Sequence, residues 1–188
     1  YPGHGTRILS VMVGNHPRIR GAIPGCRVVP FRVTSSPIFK LSRERTKPLG
    51  AAILRALREP RIRVISISLG IPLLPDPSVA EAIDAAYERG VIVVAACGQV
   101  IERATWPGRY FRTIGAGGVT RSHTVYTAYE GSDVTLFVDS FALAVNVFRA
   151  NTVLKNGAER YIFSGEAGDE RPPYDGTSYA AAQVAGAA

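Results

Sequence analysis

The sequence predicts an α/β domain in which helices cover both faces of a mainly parallel sheet, giving three layers. Helical and strand-like segments alternate between residues 3 and 98, as they do in chains built from βαβ units. The segment VIVVAACG (91–98) is apolar throughout, which is typical of a strand buried on both faces of a sheet. Two of the predicted strands end on glycine, at Gly70 and Gly98, and parallel sheets bind ligands at the carboxyl ends of their strands.

The first half of the chain supplies two helices and two strands. Residues 3–14 have apolar side chains at helical spacing behind a glycine, which predicts a helix. The β-branched segment CRVVPFRV (26–33) predicts a short strand. A second helix is predicted over 46–60, with Pro48 at an early helical position, and a second strand over 63–70.

Later elements are less regular. A third helix is predicted over 78–90, where Ser78 and Glu81 have capping-box spacing. Beyond the strand that follows this helix, the pattern loosens into short strands and loops, and DVTLFV (133–138) is among the predicted strands. The small residues of GTSYAAAQVAG (176–186) predict a final helix.

Composition limits the classes of function. The 188 residues, 46% of them hydrophobic, suffice for one sizeable core. No apolar run approaches the roughly 18 residues of a membrane span, and the first residues do not form a signal peptide. Cys26 and Cys97 make no disulfide framework and have no metal-site spacing with the histidines. We expect Cys97 to be a buried, inert thiol.

Positive charge is concentrated near the start of the chain. Residues 1–63 hold 13 Lys and Arg against 2 acids, a charge of 13 − 2 = +11, whereas the rest of the chain holds 9 against 13, a charge of −4. Clustered arginines raise the hypothesis of nucleic-acid binding. No aromatic residues interleave with them, as a single-strand stacking surface would require. We therefore interpret this region as a solvated basic face or one that meets an acidic partner, and expect no nucleic-acid partner.

Two residues at predicted helix starts are candidates for catalysis. Ser178 precedes a run of alanines, where it is either an N-cap or a nucleophile beside helix N–H groups that stabilise an anion. His4 lies between glycines at the start of the first helix. Its imidazole is suited to general-base catalysis near neutral pH, although a surface histidine is the simpler interpretation.

Together and in this order, the segments resemble the subtilisin-like serine protease family over nearly the whole chain. HGT (4–6) is similar to the start of the family's histidine helix, and GTSYAAAQVAG (176–186) to its nucleophile helix. ISISLG (65–70) resembles the edge strand that pairs with substrate, and WPGRYFRTIGAGGV (106–119) resembles the family's Tyr-Pro-Gly-Lys-Tyr segment. The resemblance implies a subtilisin-like peptidase domain over 1–188 that is incomplete at both ends.

The resemblance also implies residue roles. Ser178 would be the nucleophile of a serine endopeptidase and His4 its base, with acyl transfer as the reaction. Gln99 stands where the family has an oxyanion-hole asparagine, and its longer side chain moves the donor by about 1.5 Å. The substrate-binding residues would be Ser68, Leu69, Gly70, Thr105, Trp106 and Gly108.

One expected catalytic residue has no counterpart. The family's aspartate precedes the histidine, so we expect it upstream of Tyr1. Asp139 follows an apolar segment but lies at the wrong place in chain order, and a turn residue at a strand end is the simpler interpretation. The alternative function is that of a catalytically impaired relative that binds extended peptides.

Further properties are implied by the resemblance alone. They are a polypeptide substrate, a secreted or extracytoplasmic location, and compatibility with structural calcium and with a propeptide or protein inhibitor. The sequence shows no complete set of oxygen ligands for calcium, and no membrane partner is expected. No acid is among the implied pocket residues, which predicts a preference for apolar or mixed side chains before the cleaved bond.

Overall fold

A computed structural model describes residues 3–34, 43–72, 74–99, 101–126, 129, 133–166 and 175–188. The basic segment around Ser42 lies partly outside these residues. The helices are α1 (His4–Val13), α2 (Arg43–Ala56), α3 (Pro77–Glu88), α4 (Asp133–Phe137) and α5 (Thr177–Ala187). The strands are β1 (Asn15–His16), β2 (Ile19–Arg20), β3 (Val64–Ile67), β4 (Ile92–Ala96), β5 (Ile114–Val119), β6 (Ser140–Leu143), β7 (Ala150–Lys155) and β8 (Ala158–Phe163).

A four-stranded parallel sheet forms the centre of the molecule, in the order β3-β4-β5-β6. Two antiparallel hairpins, β1-β2 and β7-β8, lie outside it. Positions 93–96 of β4 are buried, as expected for a strand covered on both faces. The predicted α/β class with a mainly parallel sheet is confirmed.

Helices cover both faces of this sheet. On one face, α2 and α3 pack through Ile53 and Ile83 against Val93 of β4. The next residue, Val94, points the other way and packs in a second cluster with Ala181 of α5. Helix α1 lies against α5 rather than on the sheet. The result is the expected three-layer arrangement, and no helix among the described residues is long and apolar enough to span a membrane.

The strand predicted over 26–33 is wrong. These residues lie in no helix or strand, and Val28 and Val29 are 36% and 52% exposed. Within the described residues, β3 ends the sheet and pairs only with β4. A β-branched sequence needs a neighbouring strand to complete its backbone hydrogen bonds, and none of the described strands provides one here.

Three local predictions also fail. The segment predicted as a strand over 133–138 forms the short helix α4, where an acid in the first turn suits a helix N-terminus. Helix α3 is capped by Asp76, whose carboxylate accepts a hydrogen bond from Ser78 N at 2.9 Å, so the Ser78–Glu81 capping box does not form. Helix α2 begins at Arg43, which puts Pro48 inside the helix rather than near its start.

Candidate active site

Ser178 is the second residue of the buried helix α5, with Gly176 as the N-cap, so its interpretation as the cap is wrong. Two hydrogen bonds join it to the end of β3. The Ser178 hydroxyl donates to the carbonyl oxygen of Ser68 at 3.3 Å, and the Ser68 hydroxyl donates to the carbonyl oxygen of Ser178 at 2.9 Å. The nucleophile candidate is thus held against a strand end.

The first N–H groups of α5 have different partners. Thr177 N donates to Gln99 Oε1 at 2.8 Å, and Tyr179 N donates to the carbonyl oxygen of Gly176 at 3.0 Å. Among the described residues, Ser178 N donates to no acceptor. Since the first N–H groups of a helix lack partners within the helix, this N–H is available to an anion beside the Ser178 hydroxyl.

The orientation of the Gln99 amide follows from its partners. Its Oε1 accepts from both the N–H and the hydroxyl of Thr177, at 2.8 and 3.2 Å. A backbone N–H can only donate, so the atom that faces it must be the amide oxygen. The Nε2 group of Gln99 donates to no acceptor among the described residues.

Thr177 is a site residue that sequence reasoning missed. It is 1% exposed, and besides its two bonds to Gln99 its hydroxyl accepts a hydrogen bond from Gly98 N at 3.1 Å. It thereby fixes the end of β4 to the start of α5. The threonine directly before Ser178 in the GTS motif can be seen in the sequence. Its hydrogen-bond partners, however, lie about 80 positions away along the chain.

His4 is the first residue of α1 and follows Gly3, which has a φ of 80°. Burial, and after it the positive charge of Arg7, lower the pKa of His4 from 6.5 to about 4. The imidazole is therefore neutral at pH 7 and able to accept a proton. No hydrogen bond joins His4 to Ser178 among the described residues, and no described carboxylate raises its pKa.

Asp139 is hydrogen-bonded to the backbone near the start of β5. Its carboxylate accepts a hydrogen bond from Gly115 N at 2.7 Å, and its own N–H donates to the carbonyl oxygen of Gly115 at 2.9 Å. This double contact supports its interpretation as a strand-end residue. It is engaged with backbone and not with His4.

Cys97 is buried beside this strand end, and its thiol donates to the carbonyl oxygen of Phe137 at 3.2 Å. Burial, together with the charges of Asp139 and Asp133, raises the pKa of this thiol to about 12. A thiol that stays protonated at neutral pH is a poor nucleophile. This agrees with the inert role expected for it.

The implied substrate-binding residues are brought together around the ends of β3 and β4. Trp106 pairs with Ile71 through two backbone hydrogen bonds, and Thr105 N donates to the carbonyl oxygen of Cys97 at 2.7 Å. The loop that carries Thr105 and Trp106 therefore joins both strand ends. Gly108 packs behind it: a Cβ there would lie 3.1 Å from Ala96 O.

No group of three or more His, Cys, Asp and Glu side chains is placed to hold a metal ion in the part of the chain that the structure describes. We assign no residue to the calcium that the resemblance allows.

Comparison with known protein families agrees with the resemblance seen in the sequence. The sequence profile of the subtilase family matches residues 1–188. No curated protein sequence matches the chain significantly.

Solved structures share the fold. The prenylagaramide maturation protease PagA has a TM-score of 0.70 and 23% identity over 98% of this chain and 62% of its own. Sphericase has a TM-score of 0.68 and 21% identity over 99% of this chain and 62% of its own. The PatG macrocyclase in complex with peptide has a TM-score of 0.66 and 19% identity over 97% of this chain and 50% of its own. The present chain thus spans about half to three fifths of these proteins.

Proposed function

The chain belongs to the subtilase family, and on that premise we propose that it acts in a serine endopeptidase that hydrolyses peptide bonds by acyl transfer. Ser178 is the nucleophile and His4 the general base. The observation that carries the proposal is the junction of α5, β3 and β4, where a serine hydroxyl, a helix N–H and a side-chain amide converge. These groups supply the nucleophile and the oxyanion donors of acyl transfer, and His4 supplies the base.

The chemistry assigns a step to each group. Ser178 Oγ attacks the carbonyl carbon of the substrate, and His4 takes its proton and later returns it to the leaving amine. The negative oxygen that forms is stabilised by Ser178 N–H and by Nε2 of Gln99. Gln99 is one methylene longer than the family's asparagine, and its amide is held by Thr177 through Oε1.

The substrate lies along the strand end at Ser68, Leu69 and Gly70. An extended peptide adds to such a strand through backbone hydrogen bonds, and its side chains enter adjacent pockets. The peptide-bound PatG macrocyclase shows that a protein of this fold binds peptide. A polypeptide is therefore the proposed substrate class.

None of the described carboxylates raises the pKa of His4. With a pKa near 4, His4 accepts a proton weakly, and a nearby carboxylate raises the pKa of an imidazole. Among the described residues, β3 pairs only with β4, so the backbone groups on its other edge are open to pairing with one further strand. We propose that a segment preceding Tyr1 supplies this strand and its carboxylate.

A fluorophosphonate probe tests the proposal. The natural full-length protein should be labelled at one serine, Ser178→Ala should abolish labelling, and Ser122→Ala, at an exposed serine, should leave it unchanged. Labelling rates should fall about 10⁴-fold when the upstream carboxylate is removed. Peptide binding without any labelling of Ser178 would replace this proposal with that of a peptide-binding relative.

A further inference from the structure

Gly98, the residue before Gln99, lies just beyond the hydrogen-bonded part of the sheet. Strand β4 ends at Ala96, and the N–H of Cys97 makes the last bond to β5, donating to the carbonyl oxygen of Ala116 at 3.0 Å. Gly98 has a φ of 86°, and glycine is the residue with the most permissive backbone. The sheet itself therefore does not fix the backbone that carries the Gln99 side chain.

Side chains from two distant segments bind both polar groups of the Gly98 backbone. The N–H of Gly98 donates to the hydroxyl of Thr177 at 3.1 Å. The hydroxyl of Tyr129 donates to the carbonyl oxygen of Gly98 at 2.9 Å. Tyr129 is half-buried and lies 31 positions after Gly98 along the chain. Its hydrogen bond therefore joins the end of β4 to the segment that precedes α4.

The bond from Tyr129 restrains a rotation that the bond to Thr177 leaves open. The Gly98 carbonyl belongs to the planar peptide that joins Gly98 to Gln99, and rotation about the ψ angle of Gly98 moves this plane together with the Gln99 Cα. Thr177 binds the N–H on the other side of the Gly98 Cα, so it does not restrain ψ. Among the described residues, no donor other than Tyr129 binds this carbonyl oxygen.

Gln99 is held at both ends by these contacts. At the amide end, its Oε1 accepts from the N–H of Thr177 at 2.8 Å. That bond alone would let the amide pivot about its oxygen, because a glutamine side chain has several rotatable bonds whose freedom must be lost on ordering. Fixing the backbone end through the carbonyl of Gly98 restricts this pivot, and the direction of Nε2 is then set.

We propose that Tyr129 is a positioning residue for the oxyanion donor. Its hydroxyl holds the peptide between Gly98 and Gln99, so that Nε2 of Gln99 keeps one direction while negative charge develops on the substrate oxygen. Donors that are fixed in advance stabilise such charge best, because they do not reorganise during the reaction. This role rests on the proposed function, since Gln99 is an oxyanion donor only if Ser178 carries out acyl transfer.

Labelling kinetics with a fluorophosphonate probe test this role in the natural full-length protein. Tyr129→Phe removes the hydroxyl and keeps the ring, so the packing is retained. The labelling rate at saturating probe should fall about 2–10-fold, the range that one hydrogen bond contributes. The probe concentration that gives half of this rate should change little, because the positioned amide stabilises the developing charge rather than the bound, uncharged probe.

A double substitution separates positioning from a general effect on the fold. Gln99→Glu keeps an oxygen for the Thr177 N–H but lacks the Nε2 donors, so the group that Tyr129 positions is absent. Adding Tyr129→Phe to this variant should not slow labelling further. A hydrogen bond that only stabilises the fold would slow labelling by the same factor with either residue at position 99, and that result would overturn the assignment.

Tyr87→Phe is the matched control. Tyr87 lies in the last turn of α3 and is 61% exposed, and its hydroxyl makes no hydrogen bond among the described residues. Helix α3 leads to the start of β4, at the opposite end of that strand from Gly98. The labelling rate of this variant should equal that of the unsubstituted protein.

Failure of this assignment and failure of the proposed function give different results. If the unsubstituted protein is labelled at Ser178 and Tyr129→Phe is labelled at the same rate, the role of Tyr129 alone is overturned. If the unsubstituted protein is not labelled at all, the proposed reaction is overturned, and with it any positioning of an oxyanion donor.

Discussion

The catalytic candidates Ser178 and His4 lie at the starts of α5 and α1, and these two helix starts differ in how firmly hydrogen bonds hold the candidate. At the start of α5, side-chain and backbone bonds link Ser178, Thr177 and Gln99 to the ends of β3 and β4. At the start of α1, burial and Arg7 lower the pKa of His4, and no hydrogen bond joins it to Ser178 among the described residues. Among the described residues, several hydrogen bonds therefore hold the nucleophile candidate, whereas no carboxylate raises the pKa of the base candidate.

The largest effect in this comparison is expected at Gln99, which has two separable roles. Gln99→Leu should lower the rate of Ser178 phosphonylation about 10²–10³-fold, because an oxyanion donor is lost. It should also destabilise the fold by about 1–3 kcal/mol, because Thr177 N–H loses its acceptor.

Gln99→Glu separates these roles. It keeps an oxygen for Thr177 N–H, so the fold should remain stable in urea denaturation, but it replaces the Nε2 donors with an oxygen, so phosphonylation should still be slow. Fast phosphonylation by Gln99→Glu would contradict the oxyanion role of the amide.

A smaller effect, on stability, is expected at the start of α1. Gly3 has a φ of 80°, and a Cβ there would contact the Asn151 side chain. Gly3→Ala should destabilise the fold by about 1–3 kcal/mol, measured by denaturant unfolding. Gly5→Ala is the control: a Cβ at Gly5 meets nothing within 4 Å, and alanine favours a helix by about 1 kcal/mol. Equal effects of the two substitutions would show that α1 does not begin as described.

The smallest effect is expected at Ser68. Its hydroxyl donates to the carbonyl oxygen of Ser178 at 2.9 Å, and Ser68→Ala should lower the free energy of unfolding by about 0.5–1.5 kcal/mol. The carbonyl oxygen that receives the Ser178 hydroxyl remains in this variant. Ser122→Ala should change the free energy of unfolding by less than about 0.5 kcal/mol. If Ser68→Ala and Ser122→Ala lower it equally, the hydrogen bond between Ser68 and Ser178 contributes nothing to stability.

Sequence patterns predicted the elements whose signals are local. The apolar period of α1, the apolar run of β4 and the small residues of α5 each specify one element, and these formed as predicted. The strand predicted over 26–33 failed because a strand also needs a neighbour, which the pattern of one segment does not reveal. The spacing of Ser78 and Glu81 predicted a cap at Ser78, but Asp76, two residues earlier, caps α3 by accepting a hydrogen bond from Ser78 N.

The residues of the candidate site also divide into those with a local sequence signal and those without one. Ser178 and His4 stand in short motifs that sequence reasoning can find. The role of Thr177 and the position of the Thr105 side chain beside Gly70 and Gly98 depend on segments that are separated by many residues and meet only in the fold. The distance between such segments is set by tertiary packing, so it cannot be read from residue spacing along the chain.

The pKa of His4 tests most directly whether the base half of the site is incomplete. Titration of the imidazole by NMR in the 188-residue chain should give a pKa near 4, because burial and Arg7 oppose its charge. Asp139→Asn should leave this value unchanged. A pKa at or above 6.5, lowered by Asp139→Asn, would show that a carboxylate within this sequence already partners His4 and would contradict the account.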